Sequence, residues 1–171
     1  MKSNKTRLPA YYRVLRSLLQ SGRMRTSSAE IGELAGINPS SVRQDFSGYA
    51  SGQTGYGYST KQLFGAIGGE IGLNNIKTAI IVSDFDCPYL SKCLESRGIS
   101  SKVLEKWTGE EKADLLLLVS DCEINDEMTA SGGIKGVWNL TQKNIKLSVP
   151  TENLPLGDII LGLCLRINEK K

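Results

Sequence analysis

Apolar residues recur at helical spacing through the front of the chain and in short unbroken runs behind it, and this change of rhythm is the main organising signal. From Leu8 to Gln20, Tyr11, Val14, Leu15, Leu18 and Leu19 share one face, with Arg13 and Arg16 among the other positions; the spacing predicts an amphipathic helix opened by Pro9. Ser27 with Glu30 three residues on predicts a capping box, Gly36 a left-handed stop, and Asn38-Pro39 an N-cap with proline at the first helical position. Two short helices should therefore meet at a tight turn. Ile31, Leu34 and Ala35 make the apolar stripe of the first, and Val42, Phe46 and Tyr49 that of the second. The glycine-punctuated stretch 50–58, with Tyr56 and Tyr58, predicts a short hairpin beside the second helix, as a wing. Ser59 to Leu73 returns to helical spacing, with a Ser59/Gln62 capping box and Leu63, Phe64, Ile67 and Ile71 as the buried side.

Past Leu73-Asn74-Asn75 strands and helices alternate. Strands are predicted at Thr78 to Val82, Ser101 to Glu105, Leu115 to Val119 and Ile134 to Leu140, with Ile145 to Val149 as a fifth; helices are predicted at Pro88 to Ser96 and Asn125 to Ser131. Runs this apolar are buried on both faces, so a parallel sheet covered by helices is the expected architecture. The tail from Leu156 to Ile167 carries Ile159, Ile160, Leu161, Leu163, Leu165 and Ile167; it should dock into its own sheet or into a second subunit. The fold class is therefore α/β. A helix-turn-helix with a wing (residues 1–74) precedes a parallel sheet (75–153) and a C-terminal helix (154–171).

The outward face of the second short helix carries Ser40, Ser41, Arg43, Gln44 and Ser47. Such a face suits the DNA major groove, where Arg pairs with guanine, Gln with adenine, and short hydroxyls approach phosphate or base edges closely. The alternative is a solvated face on an ordinary helical hairpin. Charge separates the halves: residues 1–72 hold nine Lys/Arg against four Asp/Glu, a net of +5, and residues 73–171 hold twelve against fourteen, a net of −2, within the +3 of the whole. Only the front half is expected to meet a polyanion.

The chain has no histidine, which removes the usual general base, and Cys87, Cys93, Cys122 and Cys164 are too widely spaced for a zinc site or a disulfide framework. No enzyme activity is expected. No apolar run approaches the ~20 residues that span a bilayer, and the N-terminus lacks a signal-peptide core. A cytoplasmic location, away from membranes, is expected.

Four passages together carry a family resemblance: Arg7-Leu8-Pro9-Ala10-Tyr11-Tyr12-Arg13, Val42-Arg43-Gln44-Asp45-Phe46-Ser47, Gly52-Gln53-Thr54-Gly55-Tyr56-Gly57-Tyr58, and Gly133-Ile134-Lys135-Gly136-Val137-Trp138-Asn139-Leu140. Over nearly its whole length the chain resembles the Rex family of redox-sensing transcriptional repressors. The resemblance implies a homodimer whose paired winged helices bind a palindromic double-stranded DNA operator. It also implies a Rossmann domain that reads the NADH/NAD⁺ ratio and a C-terminal helix exchanged between subunits. On this reading Ser40, Ser41, Arg43, Gln44 and Ser47 meet base edges or nearby phosphates, Arg7 and Arg13 position the backbone, and Thr54 and Tyr56 serve the wing.

The chain departs from the family at the cofactor. A Rossmann fingerprint needs G-x-G-x-x-G after the first strand: one glycine to turn, one to let backbone approach the pyrophosphate, one to let helix meet strand. Ser83, Phe85 and Pro88 stand at those positions. A benzyl group would take the pyrophosphate's space, and Asp84 and Asp86 would repel it by on the order of 1 kcal/mol each, against the small attraction of one helix N-terminus. Glu105, near the end of the second strand, sits where a ribose-binding acid belongs, so the site reads as degenerate and NAD(H) binding as lost. The short connection before Leu115 omits a βα portion usual in the family, and Pro155 stands where the family has a coupling acid. Gln44 and Thr54 each replace a basic residue, which lowers electrostatic affinity and can shift base preference.

Three functions follow from these residues: a Rex-type repressor that no longer responds to NADH; a repressor that still senses nucleotide through Glu105 or oxidation through Cys87; and an enzyme or Mg²⁺-dependent receiver-like module built on Asp84, Asp86, Asp121 and Glu123.

Overall fold

The computed structural model describes residues 5–50 and 56–169, and the chain divides into two compact units, Met1–Asn75 and Ile76–Lys171. In the first unit a 3₁₀ turn, Lys5–Arg7, leads into α1 (Leu8–Gln20). Strand β1 (Arg25–Thr26), helices α2 (Ser28–Ala35) and α3 (Pro39–Phe46), strand β2 (Tyr58–Ser59) and helix α4 (Thr60–Ile71) follow. The capping residues act as the sequence suggests: Ser27 Oγ accepts the Glu30 N–H at 3.1 Å, Asn38 Oδ1 that of Ser40 at 2.9 Å, and Ser59 Oγ that of Gln62 at 3.4 Å. Only half of the first capping box forms, because the Glu30 carboxylate turns to Thr26 Oγ1 at 2.9 Å and to Arg23 at 3.4 Å. Gly36 ends α2 at φ 67°, in the left-handed region where a Cβ is costly.

Leu8, Tyr11, Val14, Leu15, Leu18, Ile31, Val42, Phe46, Leu63 and Ile67 form one core, with Tyr49 and Phe64 packed half-buried at its edge. Leu34, expected in that stripe, is instead 53% exposed, and Ile71 also faces water. A two-turn helix buries only the residues nearest its partners, and Ile31 fills that role for α2. The expected hairpin within 50–58 takes a different form. Strand β2 pairs antiparallel with β1, Arg25 opposite Ser59 and Thr26 opposite Tyr58, so its described partner comes from ahead of α2. Gly57, at φ 67°, lies against the Thr26 carbonyl with no room for a side chain. The remainder of that hairpin, Thr54 included, lies outside the described residues.

The second unit is a five-stranded, wholly parallel sheet in the order β4-β3-β5-β6-β7, from strands β3 (Thr78–Val82), β4 (Ser100–Leu104), β5 (Leu115–Leu118), β6 (Gly136–Asn139) and β7 (Thr151–Asn153). Helix α5 (Pro88–Glu95) links β3 to β4, and α6 (Asp126–Ser131) links β5 to β6. Ile80, Val82, Leu116, Leu118 and Val137 alternate onto one face and are closed over by Trp107, Ala113 and Ile134.

Trp107 belongs to the coil between β4 and β5, where a helix would be usual. Its indole is fully buried, Nε1 donates to the Glu111 carbonyl at 3.0 Å, and a Cβ at Gly132 would collide with its ring. One large side chain thus does the covering that the omitted helix would do.

The fifth strand is Thr151–Asn153 and not Ile145 to Val149. The apolar–polar alternation of 145–149 does bring Ile145, Leu147 and Val149 half-buried against the core. Its backbone, however, is bonded by a side chain: Asn153 Oδ1 accepts the Ile145 N–H at 3.0 Å and Asn153 Nδ2 donates to the Ile145 carbonyl at 2.9 Å.

At the opposite end of the sheet Asp114 accepts the backbone N–H groups of Lys77 at 2.7 Å and Thr78 at 3.0 Å and pairs with Lys135 at 2.6 Å. These bonds, led by Lys135, hold its carboxyl well below the usual carboxylate range. The chain ends in α7 (Leu156–Asn168), none of whose residues is buried; Ile159, Ile160, Leu161, Leu163, Leu165 and Ile167 are all at least half exposed. Among the described residues no helix is long and apolar enough to cross a membrane.

Candidate nucleic-acid interface and sheet crevice

The placement of α3 depends on an acid in its own sequence. Asp45 is 3% exposed, and one of its oxygens, Oδ2, accepts the Tyr11 hydroxyl at 2.7 Å and Arg7 Nη1 at 3.2 Å. Phe46, next in the chain, meets Tyr11 edge-on at 4.9 Å and Tyr58 at 5.4 Å between ring centroids. Burial, and then the bond to Asp45, push the Tyr11 phenol above its ordinary range. Arg7, named from the sequence as a backbone-positioning residue, is therefore spent on positioning α3 itself.

With Val42, Asp45 and Phe46 turned inward, α3 shows Ser40, Arg43, Gln44 and Ser47 to solvent, and Ser41 half-buried. Two of the serines are tied locally. Ser40 Oγ donates to Asn38 Oδ1 at 2.6 Å and Ser47 Oγ to the Gln44 carbonyl at 2.8 Å, so both brace the helix ends. Arg43 Nη1 donates to Ser28 Oγ at 3.2 Å, which fastens the exposed guanidinium to the first turn of α2. Arg13 is exposed on α1. Tyr56 is 70% exposed, and Arg25 holds it: Nε donates to the Tyr56 carbonyl at 2.8 Å and the guanidinium lies 5.7 Å from the ring centre.

Asp45 and Arg25 were missed from sequence. The signal for Asp45 was available, since an acid in a helix meant for a polyanion needs a buried partner. Arg25 carried none, because its partner lies thirty-one residues away.

Open parallel sheets bind ligands at the carboxyl ends of strands where the order reverses, which here is between β3 and β5. The turn after β3 is bonded to itself and to its neighbour. Ser83 Oγ accepts the Phe85 N–H at 3.2 Å and donates to the Phe85 carbonyl at 2.7 Å; the Cys87 thiol, buried, lies 3.3 Å from the same hydroxyl. Across the reversal, the Asp84 N–H donates to Ser120 Oγ at 3.1 Å and the Ser120 hydroxyl donates to the Asp84 carboxylate. Asp121 pairs with Lys143 at 3.0 Å, so the loops after β5 and β6 are also joined.

Phe85, at the second glycine position, is 60% exposed; Pro88 opens α5, and Glu105 stands exposed directly after β4. A diphosphate requires free amides and close backbone approach. Two amides of this turn, those of Asp84 and Phe85, are already bonded, and the turn presents a benzyl group and two carboxylates; it does not fit one. Among the described residues, Asp84, Asp86, Asp121 and Glu123 included, no three of His, Cys, Asp and Glu gather closely enough to hold a metal.

A family model described as "Putative DNA-binding protein N-terminus" matches residues 2–47. The redox-sensing transcriptional repressor Rex of Caldicellulosiruptor saccharolyticus is 31% identical, the match covering 96% of this chain and 90% of the relative. Rex of Clostridium tetani is 29% identical over 96% and 93%. Among solved structures, RSP in complex with β-NAD⁺ and operator DNA superposes with a TM-score of 0.77 at 25% identity, covering 96% of this chain and 91% of that one. A second structure, of RSP, a Rex-family repressor, gives 0.71 at 25% identity, covering 96% and 93%.

Proposed function

The chain belongs to the Rex family of redox-sensing transcriptional repressors, and from that premise we propose that it represses by binding operator DNA through α3 without responding to NADH. The observation that carries the second half is the turn after β3: the Asp84 and Phe85 amides are already bonded, to Ser120 and Ser83. A dinucleotide would have to break both bonds, displace the Phe85 ring and bring its diphosphate up to two carboxylates. The relative RSP has been solved with β-NAD⁺, and this reading puts the loss in the present chain at these substituted positions.

Binding to DNA takes two copies. Helix α7 leaves its apolar residues in water, and a second copy offering the same helix would bury both sets about a two-fold axis. Two copies of α3 so related would read a palindromic operator, Arg43 and Gln44 supplying the base contacts and Ser40, Ser41 and Ser47 the close approach to phosphate or base edges. On this reading Arg13 and Tyr56 add contacts to the backbone and the wing, and Arg7 acts through Asp45.

A gel shift on a palindromic duplex selected by the protein from a random pool, run with and without NADH, tests this reading. Equal affinity under both conditions, with no heat of NADH binding by calorimetry, is the expected result. Release of the duplex by NADH would refute the insensitivity, and failure to select any duplex would refute DNA binding.

A further inference from the structure

We infer that Arg25, held against Tyr56, is a phosphate-binding cation, the contact falling on the operator's backbone beside the groove read by α3. The inference rests on the DNA-binding reading above and adds a residue to it.

Three cations of the first unit are neutralised internally. Lys5 pairs with Glu70, Arg7 with Asp45 and Arg23 with Glu30. Arg25 is exposed and has no carboxylate partner among the described residues. What holds it is neutral: Nε donates to the Tyr56 carbonyl and the guanidinium lies over the Tyr56 ring. A single Nε bond fixes the plane of the group and leaves the edge bearing both terminal amino groups, the fork that takes a phosphate in two parallel bonds. A surface cation held without being neutralised suits an anion from outside.

Chain geometry sets the place. Arg25 lies on β1, opposite Ser59 of β2, and three residues before Ser28, the residue that fastens Arg43. Three residues of chain reach at most about 10 Å. The Arg25 and Arg43 anchor points are therefore close enough for one to meet the backbone while the other meets the groove.

The test measures affinity of the full chain for its selected duplex across a salt series, for wild type, Arg25→Gln and Arg25→Lys, with thermal midpoints to confirm folding. Arg25→Gln should weaken binding about five- to tenfold on every duplex and lower the slope of log affinity against log salt by about 1.8, the value for two released counterions, one from each copy. Arg25→Lys should restore most of that slope, because it keeps the charge. Wild-type affinity and slope in Arg25→Gln would overturn the inference while leaving DNA binding intact. Equal weakness of the Lys and Gln variants would show a merely structural role, and a loss confined to one base-pair position with no change in slope would show base reading; either result overturns the phosphate contact. Failure of wild type to retain any duplex would remove the whole reading, Arg25 with it.

Discussion

Asn139 and Asn153 stand in register across β6 and β7, and Asn139 Nδ2 donates to Asn153 Oδ1 at 2.7 Å. The pair organises the part of the connection nearest the two strands. Asn139 is fully buried, gives a second N–H to the Lys143 carbonyl at 2.6 Å, and accepts from the Thr141 N–H at 3.1 Å and hydroxyl at 2.8 Å. Asn153 takes both backbone groups of Ile145. Two amides thereby satisfy a loop that has no ladder of its own.

Because each amide satisfies groups that the other cannot reach, Asn139→Ala and Asn153→Ala should each destabilise by about 1–3 kcal/mol, the cost of stranding buried polar groups. The double variant should lose less than the sum, since the shared bond is counted in both singles. Urea midpoints of the three variants decide it, and strict additivity would mean that the pair does not act as a unit.

Tyr11 and Asp45 make a second coupled pair, in the first unit. Tyr11→Phe removes one bond and should cost about 1 kcal/mol. Asp45→Ala should cost more and also weaken DNA binding, because α3 loses its tie to α1. The raised phenol pKa has a definite sign: the folded state keeps the proton to higher pH than the unfolded chain, whose tyrosines titrate near 10. The bond's contribution is complete below about pH 10 and is lost as pH rises through the folded value. Thermal midpoints of wild type and Tyr11→Phe should converge above that pH, and a constant gap would contradict the linkage.

Asp114 predicts the opposite dependence. Its folded pKa is depressed by Lys135 and two backbone N–H groups, so its contribution is present above the unfolded value of about 3.9 and fades as pH falls toward the folded one. Asp114→Asn should therefore melt lower than wild type at neutral pH, with the difference closing in acid below about pH 4. A midpoint difference that stays constant from neutral pH into acid would rule this out.

The exposed apolar helix predicts an assembly. Ile160→Lys with Leu163→Lys should leave the chain folded by circular dichroism, since neither side chain is buried in one copy, while sedimentation shifts from dimer to monomer. Affinity for a palindromic duplex should fall at least tenfold, and a half-site duplex should be affected far less. A variant that still sediments as a dimer would place the second subunit elsewhere.

What the sequence determined by itself was mostly local. Ser27, Gly36, Asn38 and Ser59 cap and stop helices through their own backbone neighbours, and Thr78 to Val82 or Leu115 to Leu118 are too apolar to be anything but buried strand, so these features need no knowledge of the rest of the chain. The substitution of Ser83, Phe85 and Pro88 for glycines was equally legible, because a missing glycine is a local fact. Tertiary structure alone decided what depends on a distant partner. It gave Tyr58 and Ser59 to β1, turned Leu34 to water, replaced the strand at 145–149 by a loop bonded to Asn153, and set Arg7 and Tyr11 on Asp45. The physical reason is that periodicity reports how often a side chain turns toward an interior, whereas a hydrogen bond between residues thirty or more positions apart is chosen by which surfaces the packed core brings together.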